Sequence, residues 1–225
     1  MSNNGTETSA DQFVIAHATN LEKKEKIAFE HAVALGLRAR GALYAVHATH
    51  PGSEPELKKM PQVDELVTRW QAADRPLGAD LGERIDYHTV MHTCCDDPVD
   101  TLLDALDDIN PDLLVVGKHR AGQIESFFHD SVSESLARNT GRPTLFVPLG
   151  GPGSIDFDDG DLEIDRVVVP VLDQETLLES FDQIRRLFET LKLSGVEFDF
   201  VHVGDDDEIT DAVVPEPDEQ FAWQT

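Results

Sequence analysis

Residues 112–148 constrain most strongly what this chain can fold into. An apolar run at 113–116 follows Pro111 and ends at Gly117, and a second apolar run at 144–147 follows Pro143. Short apolar runs with such boundaries predict strands that are buried on both faces of a parallel sheet. Gly117 is interpreted as the point where the first of these strands turns sharply into a loop.

A helix is predicted between these two strands. Asp130 or Ser131 can cap its first turn, and Val132 and Leu136 lie four residues apart on one face. A strand, a glycine turn and a helix start present free backbone N–H groups. The stretch therefore predicts a cradle for an anion such as phosphate.

The stretch resembles the universal stress protein family. That family's signature is Gly, two residues, Gly, nine residues, and Gly followed by Ser or Thr. Here the four positions are Gly117, Arg120, Asp130 and Ser131, so the spacing matches while two of the three glycines are replaced. The strands on both sides, at 113–116 and 144–147, also match.

The resemblance implies an α/β fold with a five-stranded, parallel, doubly wound (Rossmann-like) sheet in strand order 3-2-1-4-5. It places an ATP site beyond strands one and four, where the strand order switches. Thr19 stands where the family usually has aspartate, and Ala48 where an apolar residue lines the adenine. The candidate nucleotide-binding residues are Thr19, Ala48, Gly117, Arg120, Gly122, Asp130 and Ser131.

The two replacements predict a degenerate nucleotide site. The bulk of Arg120 hinders close approach of phosphate, although its charge attracts it. Asp130 places a negative charge beside the phosphates, and such repulsion costs roughly 1–4 kcal/mol in a partly screened cleft. We therefore expect no cofactor, with ATP binding as the alternative.

The rest of the chain alternates in the same way. Before residue 112 the sequence predicts strands at 13–18, 42–48 and 84–92, and helices at 20–40, 63–73 and 99–106. Alternating strands and helices imply right-handed crossovers and a sheet covered on both faces.

A second, partial unit follows. We predict a first domain at 1–149, a linker at 150–164, and a partial second domain at 165–225 with strand, helix, strand and an acidic tail from 204. Gly41 and Gly195 are 154 residues apart, and His47 and His202 are 155 apart, which indicates a tandem duplication. A truncated second copy is the favoured interpretation. The alternative is a half-unit that completes another structure.

Charge is the sharpest compositional feature. The chain has 18 basic and 44 acidic residues, a net charge of −26, of which −17 falls in residues 151–225. Such a charge disfavours nucleic acid and anionic membranes as partners. Acidic residues recur within the predicted helices, which favours a salt-adapted cytoplasm over disordered acidic tails or an acidic partner-binding face. No apolar run of about 18 residues occurs, and the only cysteines, Cys94 and Cys95, are adjacent, so a cytoplasmic, reducing location is expected.

Two other kinds of chemistry have some basis in the sequence: metal binding and nucleophilic catalysis. Five histidines follow or end predicted strands and could hold a metal ion at one rim of the sheet: His17, His47, His92, His119 and His129. They lack tight ligand spacing, so no metal site is predicted. Ser131 has no nucleophile-elbow pattern around it, so no enzymatic activity is predicted.

The sequence thus predicts a regulatory or protective protein that resembles universal stress proteins and acts by protein association. The resemblance implies that the strand at 144–147 pairs in a homodimer. Pairing of the tandem domains within one chain is the other option. The alternatives are an ATP-binding stress sensor or slow ATPase, and a metal-binding protein with histidines along its rim.

Overall fold

The computed structural model describes residues 12–49, 62–72, 85–93, 97–119, 132–151, 153–202 and 221–224. They belong to two compact units, one within residues 1–162 and the other within 163–225. In this described part of the chain, no helix is both long and apolar enough to cross a membrane.

The first unit alternates strands and helices along the chain. Its strands are β1 (Val14–Ala18), β2 (Ala42–Thr49), β3 (Asp86–Thr93), β4 (Leu113–His119) and β5 (Thr144–Leu149). Its helices are α1 (Lys26–Ala39), α2 (Val63–Gln71), α3 (Pro98–Ile109) and α4 (Val132–Asn139), with a 3₁₀ turn at Lys23–Glu25. The strands form one parallel sheet in the order β3-β2-β1-β4-β5. The predicted α/β fold and strand order are confirmed.

The two faces of this sheet are covered by different helices. α1 packs along β1, β2, β4 and β5 and is buried along most of its length. α3 and α4 pack on the opposite face, where Leu102, Leu106 and Leu136 join Ala16 and Val116 in one apolar cluster. The central strand β1 is therefore buried from both sides, as its apolar sequence predicts.

Two sequence interpretations at strand ends were wrong. Gly117 is not a turn, because β4 continues to His119 and Gly117 pairs with Val147 of β5. Asn20 does not cap the first helix. Its Oδ1 accepts a hydrogen bond from the backbone N–H of Glu22 at 2.9 Å, which stabilises a local turn, and α1 begins only at Lys26.

Residues 153–162 pack against α1 and α2 of the first unit. Ile155 is buried, the Phe157 carbonyl accepts a hydrogen bond from Trp70 Nε1 at 3.1 Å, and Asp161 forms an ion pair with Arg38. His31 of α1 accepts from the Ser154 N–H at 2.9 Å through Nε2. We call residues 153–162 the strap. It lies in the stretch for which the sequence predicts a linker; the predicted domain boundaries themselves stay predictions.

The second unit contains β6 (Arg166–Val171), α5 (Gln174–Thr190), β7 (Val196–His202) and β8 (Phe221–Gln224). The strands form a parallel sheet in the order β6-β7-β8. Asp173 and Thr176 form a capping box at the start of α5. Residues 221–224, within the acidic tail predicted from residue 204, form β8, a strand that the sequence interpretation did not predict. Those four residues lack a clear alternation or flanking glycine that would have marked them as a strand.

Candidate functional site

A cavity of about 240 Å³ lies where the strand order switches, at the C-terminal ends of β1, β2 and β4. Among the described residues, its apolar wall comes from both strands and helices: Ala18, Ala48, Pro98, Leu102, Val116, Val132 and Leu136. The described polar residues that line it are Thr19, Asn20, Glu25, His47 and Ser133. Ligands of doubly wound sheets bind at this position. We call it the switch-point cavity.

The loop after β1 brings the 3₁₀ turn over this end of the sheet. The Thr19 N–H donates to the Val46 carbonyl at 3.0 Å, and Thr19 Oγ1 accepts from the Leu21 N–H at 3.1 Å. Leu21 itself has a left-handed backbone, with φ of 63°. This conformation costs a leucine about 1 kcal/mol, so the surrounding hydrogen bonds must hold it. The loop therefore has a defined shape that positions Glu25.

Among the described residues that line the switch-point cavity, Glu25 carries the negative charge. The residue is only 7% exposed. Among the residues that the structure describes, none donates a hydrogen bond to its carboxylate or forms an ion pair with it. Burial raises the pKa of the Glu25 carboxyl above its ordinary value, the nearby Glu22 carboxylate raises it further, and Lys24 lowers it in part. With no donor among the described residues, this carboxylate is a free hydrogen-bond acceptor at the cavity.

The Glu25 carboxylate lies against Gly117 of β4. A Cβ atom added at Gly117 would stand 2.6 Å from Glu25 Oε2 and 2.9 Å from Oε1. Such distances are below van der Waals contact, so a side chain at this position would force the Glu25 carboxylate to move. The glycine that the sequence assigns to phosphate binding thus makes room for a negatively charged side chain.

Two further polar groups face the cavity with defined roles. His47 Nδ1 is 2.8 Å from the Thr19 carbonyl, so this nitrogen donates, and in the neutral ring Nε2 is an acceptor. Ser133 Oγ donates to the Gly117 carbonyl at 2.9 Å, which ties the first turn of α4 to β4.

A larger cavity of about 840 Å³ adjoins the first and shares Thr19 and Glu25 with it. Phe29 and Leu66, from α1 and α2, provide apolar surface. Its charged lining alternates in sign and consists of Glu22, Lys23, Glu25, Lys26, Glu65 and Arg69. Glu30, beside it, is buried and is held by Arg69 at 2.7 Å and Lys26 at 3.7 Å. The mixed charges indicate no single class of ligand.

Three of the predicted site residues lie in the described part of the chain. Thr19 lines both cavities, Ala48 lines the switch-point cavity, and Gly117 lies beside Glu25. The remaining four lie outside the described residues: Arg120, Gly122, Asp130 and Ser131. The seven assignments to nucleotide binding stay predictions.

Glu25 was missed by the sequence interpretation. It fell within the helix predicted at 20–40 and was given no role. A signal was present, because the first turn after the first strand of such a sheet faces the switch point. A carboxylate in that turn is therefore as informative about phosphate binding as the replaced glycines are.

The predicted rim of histidines is not assembled as a metal site in the described residues, where no group of three or more His, Cys, Asp or Glu side chains could hold a metal ion. His17 is fully buried, and its Nδ1 donates to the Val115 carbonyl at 3.0 Å. Desolvation by burial lowers the pKa of His17 to about 4. His129, Cys94 and Cys95 lie outside the described residues.

The sequence model of the universal stress protein family matches residues 14–148. No curated protein matches the chain. Among solved structures, a universal stress protein in complex with cAMP is similar, with 19% identity and a TM-score of 0.46; the match covers 62% of this chain and 98% of that one.

Two further structures are similar in the same way. A universal stress protein family member from Burkholderia pseudomallei has 18% identity and a TM-score of 0.43, covering 63% of this chain and 99% of that one. A universal stress protein from Archaeoglobus fulgidus in complex with dAMP has 12% identity and a TM-score of 0.37, covering 60% of this chain and 96% of that one.

Proposed function

Because the chain belongs to the universal stress protein family, we propose that it is a regulatory or protective stress-response protein that acts by protein association and without ATP. The proposal assigns no reaction and no resident cofactor to the first unit. It places the protein in a salt-adapted cytoplasm, in keeping with its net charge of −26.

The observation that carries this proposal is the Glu25 carboxylate, which has no partner among the described residues. It lines the switch-point cavity and lies against Gly117, the first position of the family's phosphate signature. A phosphate that approached within about 4 Å would meet a repulsion of roughly 1–4 kcal/mol at the dielectric of a partly screened cleft. Of the described residues lining this cavity, none is Lys or Arg to offset that repulsion. The chain therefore does not suit a triphosphate at this position.

The free edge of β5 is the proposed surface for association. β5 pairs with β4 on one side only within the described residues, and Leu145 is 36% exposed. An exposed strand edge with an apolar side chain can add a strand from another chain. The first partner expected there is a second copy of this protein.

Calorimetric titration of Mg-ATP in molar KCl tests the nucleotide half of the proposal. We compare the wild-type protein with Glu25→Gln, which keeps the shape and removes the charge, and with Arg120→Gly combined with Asp130→Gly. Glu179→Gln is the matched control, because it removes the same charge from an exposed position of α5 in the other unit.

We expect no heat of binding for the wild-type protein or the Glu179 variant. Relief of the repulsion should strengthen ATP binding by about 10-fold or more in the Glu25 variant, and further when all three substitutions are combined. Binding of ATP to the wild-type protein at micromolar affinity would overturn the proposal and make the protein an ATP sensor.

A further inference from the structure

Glu25 has the properties of a ligand-binding group rather than of a structural one. Only 7% of its surface is exposed. Glu30, the other buried acidic residue of the described part, is 4% exposed and pairs with Arg69 and Lys26. Glu25 has no such partner among the described residues, although it lines an open cavity. A cation bound in the cavity would supply the donor that this carboxylate lacks among the described residues.

We infer that the switch-point cavity binds a small organic cation, an amidinium, guanidinium or ammonium group on a compact apolar body, with Glu25 as its counter-ion. This inference rests on the proposed function, because it concerns the same site and requires that no phosphate occupies it. The inferred ligand is positively charged, whereas the family signature implies a negatively charged phosphate.

The shape of the cavity limits the size of the ligand. Its volume of about 240 Å³ lies below the roughly 300–1,000 Å³ typical of sites for drug-sized molecules. Ala18 and Ala48 contribute small side chains to its lining, and Leu102, Val116 and Leu136 contribute larger apolar ones. An apolar body of about one ring, with its charge toward Glu25, suits this volume.

The polar lining favours a donor over an acceptor. The Nδ1 of His47 donates to the Thr19 carbonyl, which leaves Nε2 as the acceptor nitrogen when the ring is neutral. Ser133 has its hydroxyl hydrogen committed to the Gly117 carbonyl, so its oxygen is also an acceptor toward the cavity. With Glu25, these groups offer acceptors to a ligand with several N–H groups.

Three probes of nearly equal shape and different charge test this inference: benzamidine (a cation), benzamide (neutral) and benzoate (an anion). Each is titrated into the full-length protein in molar KCl, which screens the general acidity of the surface. The titrations are repeated with Glu25→Gln and with the control Glu179→Gln. Gly117→Ala is a second test variant, because its Cβ would displace the Glu25 carboxylate.

We expect benzamidine to bind the wild-type and Glu179→Gln proteins at least about 10-fold more tightly than benzamide, with benzoate weakest. The preference for benzamidine over benzamide should fall below about 3-fold in both Glu25→Gln and Gly117→Ala. If one of these variants does not fold, the other still tests the inference. Equal affinity for the three probes, no binding of benzamidine, or a preference that persists without Glu25 would overturn the inference.

Mg-ATP is titrated into the same wild-type sample. If neither ATP nor benzamidine binds, the inference fails while the proposed function stands. If ATP binds and benzamidine does not, both fail.

Discussion

His17 shows how strongly one side chain in the central strand responds to its surroundings. The ring is fully buried between the sheet and Phe29, and its only hydrogen bond in the described residues is the one that Nδ1 donates to Val115. Burial lowers the pKa of His17 from 6.5 to about 4, although the hydrogen bond raises it slightly. Between about pH 4 and pH 6.5, the ring is therefore neutral in the folded protein but protonated in the unfolded chain.

We predict that His17 makes the protein sensitive to mild acid. Since its pKa is lower in the folded than in the unfolded state, its contribution is constant above about pH 6.5 and is lost as the pH falls toward 4. The full loss is roughly 3 kcal/mol of unfolding free energy. This loss is measured by urea unfolding of the wild type and of His17→Gln at several pH values.

The comparison of these two proteins isolates His17, because the other titrating groups are common to both. The difference in unfolding free energy should shrink, or change in favour of the glutamine variant, as the pH falls from 7 to 4. A difference that does not change with pH would show that the ring is not held neutral.

At the scale of elements, the strap is held to the first unit by close contact as well as by hydrogen bonds. Gly160 has a left-handed backbone with φ of 76°, and a Cβ there would stand 2.5 Å from the Trp70 ring. Trp70 is itself fully buried and is anchored through Nε1 to the strap. The ring cannot move away without breaking that hydrogen bond.

We predict that Gly160→Ala destabilises the first unit by about 2–4 kcal/mol, from backbone strain and overpacking together. Gly141→Ala is the matched control, because Gly141 has φ of 61° and no atom within 4 Å of its added Cβ. The control should cost only about 1 kcal/mol. Equal losses in urea midpoint for the two variants would mean that the strap is not packed on Trp70.

The edge strand β5 gives a second prediction at this scale. Leu145→Lys places a charge on the exposed edge, which natural sheets use to prevent pairing with other chains. We expect the wild type to sediment as a dimer and this variant as a monomer. Leu178→Lys, on an exposed position of α5, should leave the mass unchanged. A wild-type protein that sediments as a monomer at micromolar concentration would contradict the proposed association.

The elements of the first unit were predictable because their boundaries are local. Apolar runs and flanking Gly and Pro mark β4 and β5, and Asp97 caps α3 just before Pro98 as helix-start rules predict. Gly117 was misread because its reason is not local: the space it leaves is taken by Glu25, 92 residues earlier in the chain. The strap was interpreted as a linker because of its Gly, Asp and Pro content. Its contacts with Trp70 and His31 also join residues that are far apart in the sequence, so no local pattern predicts them.

At the scale of the whole molecule, the net charge of −26 should make stability depend on salt. Repulsion among exposed carboxylates extends about 10 Å at 0.1 M salt and about 3 Å at 1 M. We predict that the urea midpoint rises continuously between about 0.1 and 2 M KCl. A midpoint that is flat or falls over this range would argue against a salt-adapted protein.

The central claim is that this member of the universal stress protein family works without a bound nucleotide. The most direct measurement is the nucleotide content of the full-length protein after purification from its own cells in molar KCl, released by acid and separated by chromatography. We predict far less than one adenine nucleotide per chain. A stoichiometric amount of ATP, AMP or a cyclic nucleotide would contradict the account, because it would show that Glu25 does not keep phosphate out of the site.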